Sequence, residues 1–365
     1  MPLDDFLDHM KYGQVFIGGT LPGGSGDLPG VDLSGRDLRG FTVFQTSFAQ
    51  GNFRESKLTS LIFVKCDFSE CDFSGSNLRK CQFVQCNLQG ARFDAALFEK
   101  GAFMGCDADR SSFRGARLFM ANVMKTSFQK ADFHKASIEK SVMMECALDR
   151  IDLSEGVFRN VAMSGADLRG ANLDKLDCDT IMLMEADLSD RDLRSLTLAR
   201  ANLMKTSFKG SNLAGMDLSG SVFSQANLQR ADLSGAKASM ALFAGADLSG
   251  AKLRNAELSL ANFEEANLQA TDFSGAKLEM AGLNNTKAAA ARFDRADLSL
   301  ARFGYADLKG AVFSRARFKQ TDLHCAETQG SLSEGATGNT LPTDQARAIA
   351  ELYDPNRIRA NDAGR

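Results

Sequence analysis

Tryptophan is absent from the 365 residues, and there are only 3 tyrosines, 3 histidines and 5 prolines. An enzyme of this length draws on these side chains for its pockets and proton transfers, so the scarcity argues against catalysis. No excess of either charge is present: 43 Lys and Arg stand against 46 Asp and Glu, a net charge of -3. That balance excludes a strongly basic nucleic-acid binder and a strongly acidic chain alike. No apolar run approaches the ~18 residues that a membrane span needs. The opening stretch, residues 1–11, is acidic and has no long apolar segment, so it does not read as a secretory signal. The 8 Cys contain no CxxC pair and read as buried thiols of a reducing compartment, which places the protein in the cytoplasm. Against these absences stand 27 Phe, 32 Gly and a hydrophobic content of 44%, enough for a large core.

A period of five residues organises that apolar content. From Leu33 in steps of five to Leu323 there are 59 positions, of which 50 are Leu or Phe. The exceptions are Val43, Ala108, Val123, Ile138, Met143, Met163, Cys178, Ala238 and Ala288, all apolar. Two residues before each centre, 50 of the 59 positions hold Ala, Ser, Thr, Cys, Gly or Val. The residue between is often Asp or Asn, as at Asp247 and Asn227.

A helix cannot use this pattern, because a five-residue step turns ~140° about its axis and spreads the Leu/Phe set over every face. A strand alternates with period two. It turns the small residue and the Leu/Phe inward and the Asp/Asn outward, and leaves two residues for a corner. The residue after each centre shows how many sides close a coil. In steps of twenty it reads Phe44, Val64, Val84, Met104, Met124, Met144, Ser164, Met184 and Met204, whereas the other three columns are mostly polar. Four pentapeptides therefore make one turn, and 59 of them make roughly 15 coils about 70 Å long.

These residues resemble the pentapeptide repeat family, whose A(D/N)LXX signature implies an all-β solenoid, a right-handed quadrilateral β-helix. The resemblance covers 31–325. In its long register, Phe-rich early coils and short flanking helices, the chain looks like bacterial pentapeptide proteins found beside type VI secretion components, which implies an adaptor or cargo-loading role. Family members linked to quinolone resistance mimic DNA and act on type II topoisomerases through a strongly acidic rod. Here the repeat region holds 38 Lys and Arg against 36 Asp and Glu, a poor phosphate mimic, so that role is the alternative reading.

Outside the repeats, 1–30 is expected to form a cap of short helix and strand followed by a Gly-rich linker. Leu3, Phe6, Leu7 and Met10 have helical spacing, and Val15 to Ile17 reads as a strand. This segment either caps the first coil, whose edge and core are open, or docks on another protein. The segment 326–365 is expected to be a flexible tail with a short helix over 343–353, N-capped by Thr343 and apolar along Ala346, Ile349, Ala350 and Tyr353. That helix either caps the last coil or sits on a partner.

No catalytic, cofactor or metal site is expected. A filled solenoid offers no pocket, and His9, His134 and His324 are too far apart to meet. Cys66, Cys86 and Cys106 form an inward column, with Cys146 beyond; such stacking has the wrong directions for a tetrahedral metal site, and small-residue packing is the plainer reading.

The informative contrast lies between faces. Those centred on 33, 38 and 48, each stepping by twenty, hold 24, 23 and 18 charged residues, and that centred on 43 holds 9. The last carries a candidate interaction stripe: Phe44, Ile62, Val64, Val84, Met104, Met124, Met144, Met182, Met184 and Met204, continued at the preceding corner by Met240, Leu260, Met280 and Leu300. An apolar stripe roughly 40 Å long needs a use. It is covered by the chain's own termini, by a second copy, or by a different protein. The expected function is therefore a non-enzymatic scaffold or adaptor. One stretch, 176–196, should be irregular: Leu176, Ile181, Arg191 and Leu196 oversize the small slot, and Arg191 should bend outward or pair with an Asp.

Overall fold

The computed structural model describes residues 16–17 and 26–351. They form a right-handed, four-sided parallel β-helix of about 15 turns. Bridges join each residue to the one twenty further on, for example Asp32 to Asn52 to Asp72 and Asn227 to Asp247 to Asn267. Pairing across successive turns is parallel throughout, because every coil runs in the same sense.

Each pentapeptide repeats one set of contacts. Every centre from Leu33 to Phe313 is buried, and no Leu or Phe among them faces outward. Phe318 and Leu323, at the end, are half-buried against the same core. The Asp or Asn before the centre closes a turn on its own backbone. Its Oδ1 accepts the N–H two residues on, as Asp72 does from Ser74 at 2.9 Å and Asp247 from Ser249 at 2.9 Å. The short carboxylate or amide reaches that N–H without strain, which is why these residue types favour such turns. The corner two residues past the centre takes φ near +60°, and it does so even where the residue is not glycine, as at Lys135 (φ 60) and Arg200 (φ 58). Such backbone costs an L-residue roughly 1 kcal/mol or more. The ladder on both sides holds it there, through bonds such as Lys135 N–H to Ser154 O at 3.0 Å.

The interior is filled by rings stacked from coil to coil. Phe73, Phe93, Phe113 and Phe133 lie nearly parallel at centroid spacings of 4.9, 4.7 and 4.5 Å. Rings on adjacent faces meet edge-on, as Phe93 and Phe103 do at 5.8 Å. Both are favourable aromatic arrangements. Small residues two before the centre leave room for these rings, and several with a hydroxyl or thiol bond to the coil before. Ser211 Oγ donates to Leu188 O at 2.6 Å, and Cys71 Sγ to Phe48 O at 2.9 Å. Others, such as Ser56 to Phe53 O at 2.6 Å, bond within their own coil.

At the ends the ladder exceeds the Leu/Phe pattern. Residues Phe16–Ile17 pair in parallel with Val43 and Phe44, adding a strand at the N-terminal edge of one face. Past Cys325 the coil continues through bridges Asp307 to Glu327, Val312 to Leu332 and Arg317 to Thr337. Thr328 and Ser333 stand where a Leu or Phe centre would, so an apolar count stops too early; the corner glycines Gly330 (φ 71) and Gly335 (φ 67) keep the five-residue beat. A helix, α1 (Gln345–Glu351), follows. Its N-cap is Asp344, whose Oδ1 accepts Arg347 N–H at 3.1 Å, and not Thr343. The Thr343 Oγ1 instead accepts Cys325 N–H at 3.0 Å on the last coil. The expected helix at Leu3 to Met10, the end of the C-terminal helix at Tyr353 and the tail to residue 365 lie outside the described residues.

Irregularity concentrates where the small slot is overfilled. Between residues 30 and 325, only Gly170 and Ser195 among the corner residues lack a positive φ. Bridges 172 to 192 and 177 to 197 are missing from the ladder among the described residues. An apolar cavity of about 10 Å³ opens between Leu173, Leu176, Cys178, Ile181, Leu196 and their neighbours. Arg191 neither bends into solvent nor pairs with an Asp. Its Nη1 donates to the carbonyls of Leu168 (2.6 Å), Arg169 (3.0 Å) and Ala171 (2.5 Å), around the aberrant corner at Gly170. The Leu168 carbonyl, 23 residues back, is the acceptor that a Ser or Thr in this slot would use. The two N–H hydrogens of Nη1 are shared among the three carbonyls, so at least one of these bonds is bifurcated.

Candidate functional site

The low-charge face is built on a continuous parallel ladder. Strands Thr42–Phe44, Ile62–Val64, Gln82–Val84, Ala102–Met104, Asn122–Met124 and Val142–Met144 pair in turn. The register sets Phe44, Val64, Val84, Met104, Met124 and Met144 side by side. Each follows a buried centre, so strand alternation alone turns it away from the core. Of this set Met124 is exposed, and Phe44, Val64, Val84, Met104 and Met144 are half-buried against their neighbours. Ile62, Met182, Met184 and Met204 are half-buried too. Ser164 interrupts the row between Met144 and Met184, and Ser224 and Ala244 end it beyond Met204.

A second patch lies at the leading edge of the same face. Met240, Leu260, Met280 and Leu300 stand on four successive coils, 62, 50, 51 and 41% exposed, with Leu242 beside them. Their φ values are 60, 62, 58 and 59°, so all four are corner residues. Elsewhere this position mostly holds Gly, Asn, or long polar side chains such as Lys and Gln, whose ends reach water; Met120 (φ 53, 46% exposed) is a further apolar residue in the same column. A Met or Leu side chain gains nothing from the strained backbone and leaves its hydrocarbon in solvent. This corner position was legible from the twenty-residue spacing; its positive φ was not.

The termini meet this face only at its ends. The strand Phe16–Ile17 extends the sheet next to Val43 and Phe44. Helix α1 anchors at the far end, where Glu351 bonds to the phenol of Tyr305 and lies 3.1 Å from His324 Nε2. The other ring nitrogen of His324, Nδ1, accepts Asp344 N–H at 3.2 Å. With Nδ1 an acceptor, Nε2 carries the proton and donates to Glu351. The Tyr305 phenol, first among its partners, with Arg347, draws the Glu351 carboxyl down to about 2. Contact is polar: no residue of α1 is buried, and Ile349 on its apolar side is 70% exposed. Between these ends, none of the described terminal segments crosses Met240 to Leu300.

Groups capable of chemistry are dispersed. His134 Nδ1 lies 3.0 Å from Ser154 Oγ, a contact between adjacent coils that the twenty-residue spacing of the two positions allows. No carboxylate bonds to the other ring nitrogen among the described residues, so the pair lacks the orienting third group of a nucleophilic site. The thiols are occupied with the backbone: Cys66, Cys86 and Cys106 donate to the carbonyls of Val43, Phe63 and Phe83 at 3.5, 3.4 and 3.3 Å. Burial pushes the Cys71 and Cys178 thiols up to about 12.

The sequence matches family profiles described as "Pentapeptide repeat region" over residues 42–122 and 76–153 and as "Pentapeptide repeats (8 copies)" over 146–190, 181–215, 201–237, 241–279 and 283–327. Similar solved structures include HetL of the cyanobacterium Nostoc, a pentapeptide repeat protein involved in heterocyst differentiation regulation. It is 24% identical, the match covers 71% of this chain and 86% of that one, and the TM-score is 0.26. QnrB1, a plasmid-mediated fluoroquinolone resistance protein, is 21% identical over 59% of this chain and 89% of its own, with a TM-score of 0.22. A pentapeptide repeat protein of the Arabidopsis thaliana thylakoid lumen is 32% identical over 30% of this chain and 69% of its own, with a TM-score of 0.17. No curated protein matches the chain.

Proposed function

This chain belongs to the pentapeptide repeat family, and we propose that it works as a non-enzymatic scaffold that binds another protein through the apolar face. One observation carries the reading. On four successive coils an exposed Met or Leu sits at a positive-φ corner, where neither core packing nor backbone preference calls for it. Covering Met240, Leu260, Met280, Leu300 and Leu242 by a partner removes their remaining apolar surface from water. At about 1 kcal/mol for each half-exposed side chain, that contributes about 5 kcal/mol to association. Methionine adapts its shape to an irregular partner, which suits a docking face. The half-buried row from Phe44 to Met204 extends the same face toward the N-terminal coils. An adaptor placed beside a secretion machinery is one setting for such a rod.

The test replaces Leu260 and Met280 together by Asp. Both side chains point into solvent, so the thermal transition should stay within a few degrees of the parent. Two carboxylates desolvated in an apolar contact cost several kcal/mol, so association should be lost. Sedimentation velocity on the purified chain reads self-association, and cross-linking in the native cell reads a different partner. Association that survives the double variant in both assays rules this face out.

A further inference from the structure

Many charges on neighbouring coils of this solenoid are paired with one of opposite sign. Lys135 pairs with Glu155 at 3.4 Å, Lys205 with Glu185 at 3.4 Å, Lys277 with Glu257 at 3.2 Å and Arg317 with Asp297 at 3.1 Å. Like charges stack at some corners instead, Lys80 with Lys100, Arg110 with Lys130 and Arg150, and Arg295 with Arg315; the last pair borders a groove. Arg295 (φ 56) and Arg315 (φ 57) occupy the same corner on successive coils. Arg295 N–H donates to Ser314 O and Arg315 N–H to Glu334 O, each at 2.9 Å, so the two arginines are stacked one strand spacing apart, about 4.8 Å. Neither has an ion-pair partner among the described residues. Like charges set directly opposite each other on adjacent strands are destabilising.

The pair overlooks a groove of about 860 Å³ that runs along the corner from Arg254 to Gly335. Gly275 and Gly335, above and below the pair on the same corner, remove the bulk that would close it. Arg254 and Arg292 also line the groove, but each already has a carboxylate, Asp272 at 2.5 Å and Asp294 at 3.3 Å. Ser314 brings a hydroxyl to its wall, whereas that of Ser274 already donates to Asp272 Oδ1 at 2.5 Å. The remaining acid of the lining, Glu334, is exposed at the C-terminal end and forms no ion pair among the described residues. Two guanidinium charges are therefore left over, side by side, where the surface is concave.

We propose that this groove binds a phosphate-type dianion bridging Arg295 and Arg315. Guanidinium forks take tetrahedral and planar oxyanions in bidentate fashion. A single carboxylate neutralises one of the two forks. A phosphate dianion neutralises both and has oxygens left for the Ser314 hydroxyl. The groove is open, so binding is screened by salt and modest in strength. It lies one face away from the Met240 column, and its occupancy does not depend on protein docking there.

The experiment is calorimetric titration of the full chain with inorganic phosphate, with phenyl phosphate, and with acetate as the monoanionic control. Ionic strength is held constant with sodium chloride. Saturable binding of phosphate but not acetate is expected. The double variant Arg295→Gln/Arg315→Gln should weaken it by about tenfold or more, as loss of charge-assisted bonds implies. Glutamine already occupies this kind of corner at Gln225 (φ 58), so the variant keeps the fold. Glu334→Gln should tighten binding by removing a nearby negative charge. Arg79→Gln, at a distant residue paired with Glu99, should leave it unchanged. Binding of phosphate alone assigns the groove to the free anion; binding of both phosphates assigns it to a phosphate carried on an organic group. Equal responses to acetate and phosphate, no saturable heat, or parental affinity in the double variant each overturn the proposal.

Discussion

Replacing Arg191 by Ala tests whether this residue cures the irregular coil or causes it. Alanine is the commonest residue of the small slot, so a count of sequence preferences predicts a gain. The contacts predict a loss. Arg191 Nη1 bonds to three carbonyls, at Leu168, Arg169 and Ala171, and alanine leaves all three without that donor. Bonds from a charged donor contribute about 1.5–3 kcal/mol each, and a fully buried unpaired carbonyl costs a similar amount. Arg191 is half-buried, so water reaches part of the vacated space and the sum shrinks. About 2–3 kcal/mol remains. Alanine cannot regularise the coil, because Leu176, Ile181 and Leu196 still overfill the slots nearby and the apolar cavity beside them stays. Urea denaturation should show a lower midpoint, and the loss should be local. Solenoid stability is a sum of repeat and neighbour terms, so weakening one junction separates the rod into two cooperative units. Hydrogen exchange should quicken over 168–198 with coils such as 73–133 unaffected. A higher urea midpoint, together with stronger protection over 172–197, would refute the reasoning and make Arg191 the source of the distortion.

Alkaline pH should weaken the fold. Burial raises the thiols of Cys146 to about 11 and of Cys71 and Cys178 to about 12, against an ordinary value of 9.0. The unfolded chain ionises first, so stability is full below about pH 9 and falls as pH rises toward the folded values. By about pH 10 each thiol removes about 1.4 kcal/mol, and Cys71→Ala should flatten the pH dependence of the urea midpoint by that amount. Docking of α1 should respond to acid instead. Glu351 is held down at about 2 by Tyr305 and Arg347, so its contribution is present above 4.5 and disappears as pH falls toward 2. Proteolysis at 343–351 should accelerate across that window, and Glu351→Gln should remove the dependence; an unchanged profile in the variant counts against the latch. Asp72→Ala removes the bond to Ser74 N–H and a partner of Arg54, and should cost about 1 kcal/mol in the early coils, read as a lower urea midpoint.

Almost all of the fold was legible, because every coil solves the same local problem. A residue two before a centre, the Asp or Asn and the Leu or Phe recur with a period that only a four-sided parallel coil can bury on one side. Fifty-nine repetitions leave no competing register. The polar placement of Asp72 and Asp247 and the outward placement of Met104 follow from strand alternation, and Met280 recurs at a corner by the twenty-residue spacing, so the candidate face too could be assembled from spacing. Harder to read were features without an apolar marker, such as the coil past Cys325, where Thr328 and Ser333 replace Leu and Phe while the backbone ladder carries on.

What the sequence determined by itself is therefore everything that repeats: periodicity, inside and outside, and the number of sides. Only the tertiary structure decided what depends on a particular neighbour on another coil. It showed Arg191 turning to the carbonyls around Gly170, because a half-buried charge takes whichever acceptors lie nearest, and the chain order does not mark the Leu168 corner as nearest. It set Asp344, and not Thr343, at the head of α1, because the last coil had an unpaired N–H at Cys325 that claimed the Thr343 hydroxyl. It left Arg295 and Arg315 stacked without a carboxylate beside a groove opened by two glycines. The physical reason is common to all three. Periodic burial is a local, additive term that each pentapeptide satisfies alone, whereas hydrogen-bond and charge partners are settled by which groups remain unsatisfied once the coils are stacked.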